Sequence, residues 1–134
     1  MIKWSDKYKV GFSVIDKQHK KLFEIARKAK ASLDRDNDDK YEEVHDILDE
    51  LVLYATVHFA TEEKLMKQIA YHDYEKHRRE HEQFLEKIED IVQDANLDVD
   101  DATIREILQF IVEWIIDHIC GKDKHMATAI KNHR

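Results

Sequence analysis

The stretch His58-Phe59-Ala60-Thr61-Glu62 interrupts an apolar helical stripe, and its reading decides the fold. Upstream, Val44, Ile47, Leu48, Leu51 and Ala55 recur at steps of three and four residues, and Leu65 and Met66 resume the pattern downstream. Such steps place side chains on one helical face. His58 and Glu62 therefore point at the core, where an unpaired imidazole or carboxylate is costly. A partner inside the core has to offset that cost.

The rest of the chain supplies a setting for that partner. Its 134 residues suit a single domain spanning 1–134 with one hydrophobic core. There is no proline and there are only two glycines, Gly11 and Gly121, whereas β-rich chains use both types freely in turns. Charged residues make up 38% and hydrophobic residues 43%, as expected of amphipathic helices with solvated outer faces. A net charge of −7 argues against nucleic-acid or anionic-membrane partners. The segment from Ile104 to Ile119 is apolar but carries Arg105, Glu106, Glu113 and Asp117, so we expect no membrane insertion. The N-terminus lacks the apolar run of a signal peptide, and the single Cys120 allows no internal disulfide. These features predict a cytoplasmic protein.

Periodicity divides the chain into four helices, at about 16–33, 40–68, 74–94 and 102–120. Ser13-Val14-Ile15-Asp16 has the form of a capping box for the first, residues 34–39 offer caps for the second, and Asp73 offers one for the third. Short connections favour antiparallel neighbours, so the predicted fold is an all-α, up-down-up-down antiparallel four-helix bundle. Residues 1–13, with Trp4, Tyr8 and Phe12, are expected to form an N-terminal aromatic arm packed on it.

Each of the four stripes runs into histidine. The first, with Leu22, Phe23, Ala26, Ala29 and Leu33, steps back to His19. The third, with Phe84, Leu85, Ile88, Ile91, Val92 and Ala95, steps back to His81 and His77. The fourth, with Ile104, Ile107, Leu108, Ile111 and Ile115, steps on to His118. In an up-down-up-down bundle the starts of helices one and three meet the finishes of helices two and four. All these groups therefore converge at one end. Any single pair of this kind is common on solvated helices; the conjunction points to ligands around a shared metal centre.

Five imidazoles and a carboxylate exceed the four donors of a structural zinc. Without thiolates they suit iron, manganese or zinc rather than an iron–sulfur cluster. A lone carboxylate among imidazoles is placed to bridge two ions, and two six-coordinate ions need more donors. Asp123 is the next available. It lies five residues after His118, about 140° round an ideal helix, so we expect an irregular helix between them, permitted by Gly121.

At this point the chain resembles the hemerythrins. The set His19, His58-x3-Glu62, His77-x3-His81 and His118-x4-Asp123 is similar to that family's seven-ligand signature. The words IDKQHKKLF (15–23), HFATEEKLM (58–66) and HICGKDK (118–124) resemble its single-domain bacterial branch. The resemblance implies two non-heme iron ions bridged by an oxo or hydroxo group, with dioxygen as ligand. It implies His77, His81 and His118 on one iron, His19 and His58 on the other, and Glu62 and Asp123 bridging. The iron with fewer imidazoles would keep an open position for reversible dioxygen binding, making the protein an oxygen carrier or store and not an enzyme.

Apolar walls around the open position are expected from Leu22, Phe59 and Ile116, with Trp114 and Ile115 as further choices, although core packing explains these residues equally well. Many family members carry leucine at the place of Ile116, a departure that bears on gating and autoxidation. Di-iron oxygenases and ferritins use more carboxylates, so a histidine-rich set favours binding over oxygen activation. An oxygen or redox sensor, and a peroxide or nitric oxide reductase, would use the same site. With few residues after the last predicted helix, we expect a free-standing monomer, whose protein partner, if any, the sequence does not identify. His45, His72, His125 and His133 are read as solvated, Cys120 as a small buried residue, and Tyr54 and Tyr71 as aromatic core or rim packing.

Overall fold

The computed structural model describes residues 4–35, 40–94 and 101–133. It contains helices α1 (Ser13–Asp34), α2 (Lys40–Gln68), α3 (Tyr74–Asp94) and α4 (Asp101–His118). A π-helical turn, Ile119–Asp123, joins α4 to α5 (Lys124–Asn132). The four-helix bundle read from periodicity is the fold observed: α1 packs on α2 and α4, and α2 on α3. The expected caps among residues 36–39, the stripe position Ala95 and residues 96–100 of the expected third connection (96–101) fall outside the described residues, and the side chains of Ile91 and Val92 are likewise undescribed.

The stripes are buried as their spacing dictates. Leu22, Phe23, Ala29 and Leu33 of α1 meet Val44, Leu48, Leu51 and Ala55 of α2, with Phe84 and Ile88 of α3 and Leu108 and Ile111 of α4, and Ala26 is buried as well. Burial of a Leu, Ile or Phe side chain contributes roughly 1.5–3 kcal/mol, and this layer fixes the helix faces on which the histidines lie. The expected arm packs as an aromatic cluster: Trp4 and Tyr8 lie 5.4 and 5.3 Å from Phe23, ring centre to ring centre.

Three expectations at helix ends are corrected. The first concerns the predicted capping box: Phe12 occupies the N-cap of α1 and makes no side-chain bond there. Asp16 instead accepts hydrogen bonds from the backbone N–H of Val10 (2.7 Å) and Gly11 (3.2 Å), tying the arm to the helix start. Gly11 permits that turn with φ of +85°, in the left-handed region that side chains disfavour. Secondly, the last helix does not stop at Cys120, because the backbone stays helical through the π-turn and on to Asn132. Residues after Gly121 are anchored by Met126 and Ala127, both fully buried. Lys131 Nζ donates to the Val10 carbonyl at 2.8 Å, so α5 also holds the arm. Thirdly, Cys120 is exposed rather than buried. It stands two residues beyond buried His118, about 200° round the helix, which is the outer side.

The end of α2 was not anticipated. Tyr71 N–H donates to Met66 C=O (3.0 Å) and Ala70 N–H to Lys67 C=O (3.2 Å). Ala70 takes φ of +50°. This is a Schellman cap with alanine where glycine is usual.

Candidate metal centre

Five helical segments deliver seven polar side chains to one end of the bundle. His19 comes from α1, His58 and Glu62 from α2, His77 and His81 from α3, His118 from the end of α4 and Asp123 from the π-turn. Each is at most 6% exposed, and Glu62 and Asp123 are wholly enclosed. The structure thus brings together all seven residues singled out in the sequence.

The π-turn resolves the spacing of the last two. Lys124 N–H donates to the Ile119 carbonyl, five residues back instead of four. With that bonding, residues five apart lie about one turn above each other, and Asp123 faces inward with His118. Gly121 does not take a left-handed φ, and a side chain built there would meet nothing within 4 Å. The irregularity is present as expected, but glycine is not what permits it.

The two carboxylates divide the imidazoles into two sets. Glu62 Oε1 lies 3.1 Å from His81 Nε2 and 3.7 Å from His77 Nε2. Asp123 Oδ1 lies 3.1 Å from His77 Nε2 and 3.0 Å from His118 Nε2. The second oxygens turn the other way: Glu62 Oε2 is 3.6 Å from His58 Nε2, and Asp123 Oδ2 is 2.8 Å from His19 Nε2. Each carboxylate presents one oxygen to a three-histidine set and the other to a two-histidine set. Within each set the donor atoms all lie within 4.8 Å of one another. Bonds of about 2.0–2.2 Å to a first-row ion put adjacent octahedral donors about 3 Å apart and opposite donors about 4.2 Å apart, so both sets are sized to hold one ion.

Hydrogen bonding tells the same story. Among the described residues, His19, His58 and His77 Nε2 and all four oxygens of Glu62 and Asp123 are buried without a hydrogen-bond partner. Such atoms are rare in folded proteins and indicate a ligand. His81 and His118 oppose their Nε2 atoms at 3.0 Å, a contact that two lone pairs would make only around a shared cation or proton.

The outer nitrogens are held by residues the sequence reading missed. His58 Nδ1 donates to Gln18 Oε1 at 2.7 Å, and Gln18 Nε2 donates to Thr61 Oγ1 at 3.2 Å. His81 Nδ1 donates to Glu63 Oε2 at 3.1 Å, and His118 Nδ1 lies 3.7 Å from Glu80 Oε2. These bonds leave the Nε2 lone pairs of His58 and His81 facing inward. Gln18, Glu63 and Glu80 each adjoin a donor in sequence, one residue and so about 100° round the helix, which is the signal that could have found them.

In the metal-free chain the electrostatics are divided. Burial, then the charge of His19, pushes His58 down to about 3; burial and His118 push His81 down as well. Burial opposes protonation of His118 too, but the carboxylates of Asp123 and Glu80 close beside its two ring nitrogens carry it up to about 9. Burial and the Asp123 charge hold Glu62 well above the usual carboxylate range. Asp123 is held well below that range although burial opposes it, because His118, His19 and His77 surround it. The neutral imidazoles are in the form that binds metal.

Rings brace the donors from outside. Phe59 stacks on His81 at 3.9 Å and lies 5.7 Å from His58, while Trp114 stacks on His118 at 4.5 Å. Phe59 thus reaches both sets, with its closest stacking on the three-histidine side. Leu22 and Ile115 are buried and Ile116 is half-buried. Away from the centre, His72, His125 and His133 are exposed as expected, Tyr54 packs at the edge of the main apolar cluster, and Tyr71 is buried in the second. His45 is a correction: it is half-buried, with Nδ1 3.5 Å from Asp49, because it borders the core stripe of α2.

Residues 10–130 match a family model described as the hemerythrin HHE cation binding domain. A bacteriohemerythrin of Clostridium acetobutylicum is 39% identical over 126 residues, covering 92% of this chain and 97% of that protein. A bacteriohemerythrin of Stenotrophomonas maltophilia is 30% identical over 138 residues, covering 99% of this chain and 84% of that protein. Among solved structures, a wild-type hemerythrin crystal structure superposes with a TM-score of 0.83 at 24% identity, covering 97% and 98% of the two chains.

Proposed function

The chain belongs to the hemerythrin family, and from that premise we propose that its seven buried donors hold two non-heme irons, bridged by an oxo or hydroxo group, that bind dioxygen reversibly. The observation that carries this reading is the division of the carboxylate oxygens. Glu62 and Asp123 each turn one oxygen to His77, His81 and His118 and the other to His19 and His58. Three imidazoles and two carboxylate oxygens would hold one ion, and two imidazoles and two carboxylate oxygens the other, so the second set offers one protein donor fewer. An iron pair held there would supply reversible electron exchange with dioxygen.

The protein's own contribution is placement and exclusion. Gln18 fixes the ring of His58 so that Nε2 faces inward. Leu22, Phe59 and Ile116 form the apolar wall that keeps water from the open position. Five imidazoles against two carboxylates leave the centre short of the negative charge that stabilises high-valent iron, which favours carriage over substrate oxidation.

The test is anaerobic reduction of iron-loaded protein, then addition and withdrawal of oxygen, followed by absorption with iron counted per chain. Two irons and a coloured form that bleaches as oxygen is withdrawn are expected. Two irons with immediate irreversible oxidation would move the assignment to the sensor or reductase readings. Absence of paired iron would overturn it.

A further inference from the structure

The outer face of α2, opposite His58 and Glu62, carries a second pattern. Leu53 and Val57 are 71% and 58% exposed, the two most exposed large hydrophobic side chains among the described residues. Before them on the same face stand the exposed Asp46 and Asp49, and beyond exposed Ala60 stand the exposed Lys64 and Lys67. On an ideal helix all these positions fall within about 80° of arc. The stripe therefore runs acid, apolar, base along one side of a single helix.

We propose that this face of α2 is the interface of a reversible, antiparallel two-fold dimer of the chain, in place of the monomer expected from the sequence. A stripe with acid at one end and base at the other complements itself when reversed, which is the condition for an isologous interface. Centred on Thr56 and Val57, the reversal sets Asp46 against Lys67 of the second copy, Asp49 against Lys64, and Leu53 against Ala60. Two-fold symmetry repeats each pair, so four Asp–Lys pairs flank an apolar centre. A parallel arrangement would oppose like charges and is excluded. Two carboxylates at matching register, Glu50 and Glu63, face Lys28 at 3.3 Å and His81 at 3.1 Å within their own bundle; Asp49 lies 3.5 Å from His45 Nδ1 but its side chain is 53% exposed.

The stripe from Asp46 to Lys67 is about 33 Å long. One helix pair with exposed ion pairs belongs to the small, transient class of interface. Its charge pairs weaken with added salt, while the apolar centre does not.

Sedimentation velocity of the iron-loaded chain tests this from micromolar to millimolar concentration, at low and high salt. A dimer that grows with concentration and recedes with salt is expected. The variant carrying Asp46→Lys and Asp49→Lys has a wholly basic stripe, and that carrying Lys64→Glu and Lys67→Glu a wholly acidic one. Each alone should raise the dimer dissociation constant at least about tenfold, and the two mixed should form a heterodimer. Leu53→Asp should weaken the dimer without lowering iron content, since the side chain is solvated. A wild-type chain that stays monomeric at millimolar concentration would overturn the proposal, leaving the face to another partner or to none. Charge variants that dimerise unchanged alone, or fail to pair when mixed, would overturn it as well.

Discussion

Removing iron from the loaded protein should cost a large share of its stability. Nine buried side-chain nitrogen and oxygen atoms lack a hydrogen-bond partner among the described residues, and one of them, His45 Nε2, lies outside the centre. Of the remaining eight, one is His19 Nδ1, the nitrogen that ring does not offer to the centre, and seven are donor atoms of His19, His58, Glu62, His77 and Asp123. Leaving such an atom unsatisfied costs about 1–3 kcal/mol, so the gross penalty is about 7–21 kcal/mol. A whole domain is stable by only about 5–15 kcal/mol. The metal-free chain must relieve most of that by protonation and by admitting water. If about 4 kcal/mol survives, at about 3–4 °C per kcal/mol for a chain of this size, melting falls by roughly 12–16 °C.

The assay is calorimetric or dichroic melting of loaded and chelator-stripped protein, with iron counted per chain. Amide exchange should locate the loosening at the end of the bundle that holds the seven donors, leaving the opposite end protected. Equal melting of the two forms would refute the reasoning, since a centre that costs nothing to empty is not what satisfies these atoms.

Gln18→Leu removes the partner of His58 Nδ1 and should weaken iron retention by about 10–100-fold in chelator competition, with loss of one iron before the other. His45→Gln, away from the centre, should leave two irons per chain. Ala70→Gly relieves a left-handed alanine at the end of α2 and should stabilise by about 1 kcal/mol, raising the melting temperature by a few degrees. Gly121→Ala should keep both irons and melt no lower than the parent, because the position does not need a left-handed φ and the space is open; loss of iron would show that the π-turn does require glycine.

Much of this was legible because helical periodicity is a strong signal and the donors lie on it. His19, His58, Glu62, His77, His81 and His118 all fall on apolar stripes, so the rule that buries Leu51 or Ile88 also buries them. Asp123 broke the rule, and the break itself announced an irregular helix. What could not be read was set by tertiary contact. Asp16 looks like part of a local cap, but its carboxylate finds the arm's N–H groups six and five residues back. Nothing local marks α5 as the continuation of α4, since its burial depends on Met66 and Tyr71 of the α2 end meeting Met126. Gln18 reads as a surface residue until α2 brings His58 beside it.

The π-turn links these two halves of the story. In an uninterrupted α-helix, Asp123 would stand about 140° from His118 and Met126 about 80°. Absorbing one residue in the turn brings them to about 40° and 20°, so both face inward with His118. Both are fully buried. One extra residue therefore serves two ends at once: it aims a carboxylate at the metal centre and phases α5 so that Met126 enters the second apolar cluster. That phase also carries Lys131 to the Val10 carbonyl and Lys124 to the Lys7 carbonyl, closing α5 over the arm. The position of the arm is thus tied through a single helical register to the position of Asp123. A change that straightened the helix would release a donor, a core methionine and the arm together.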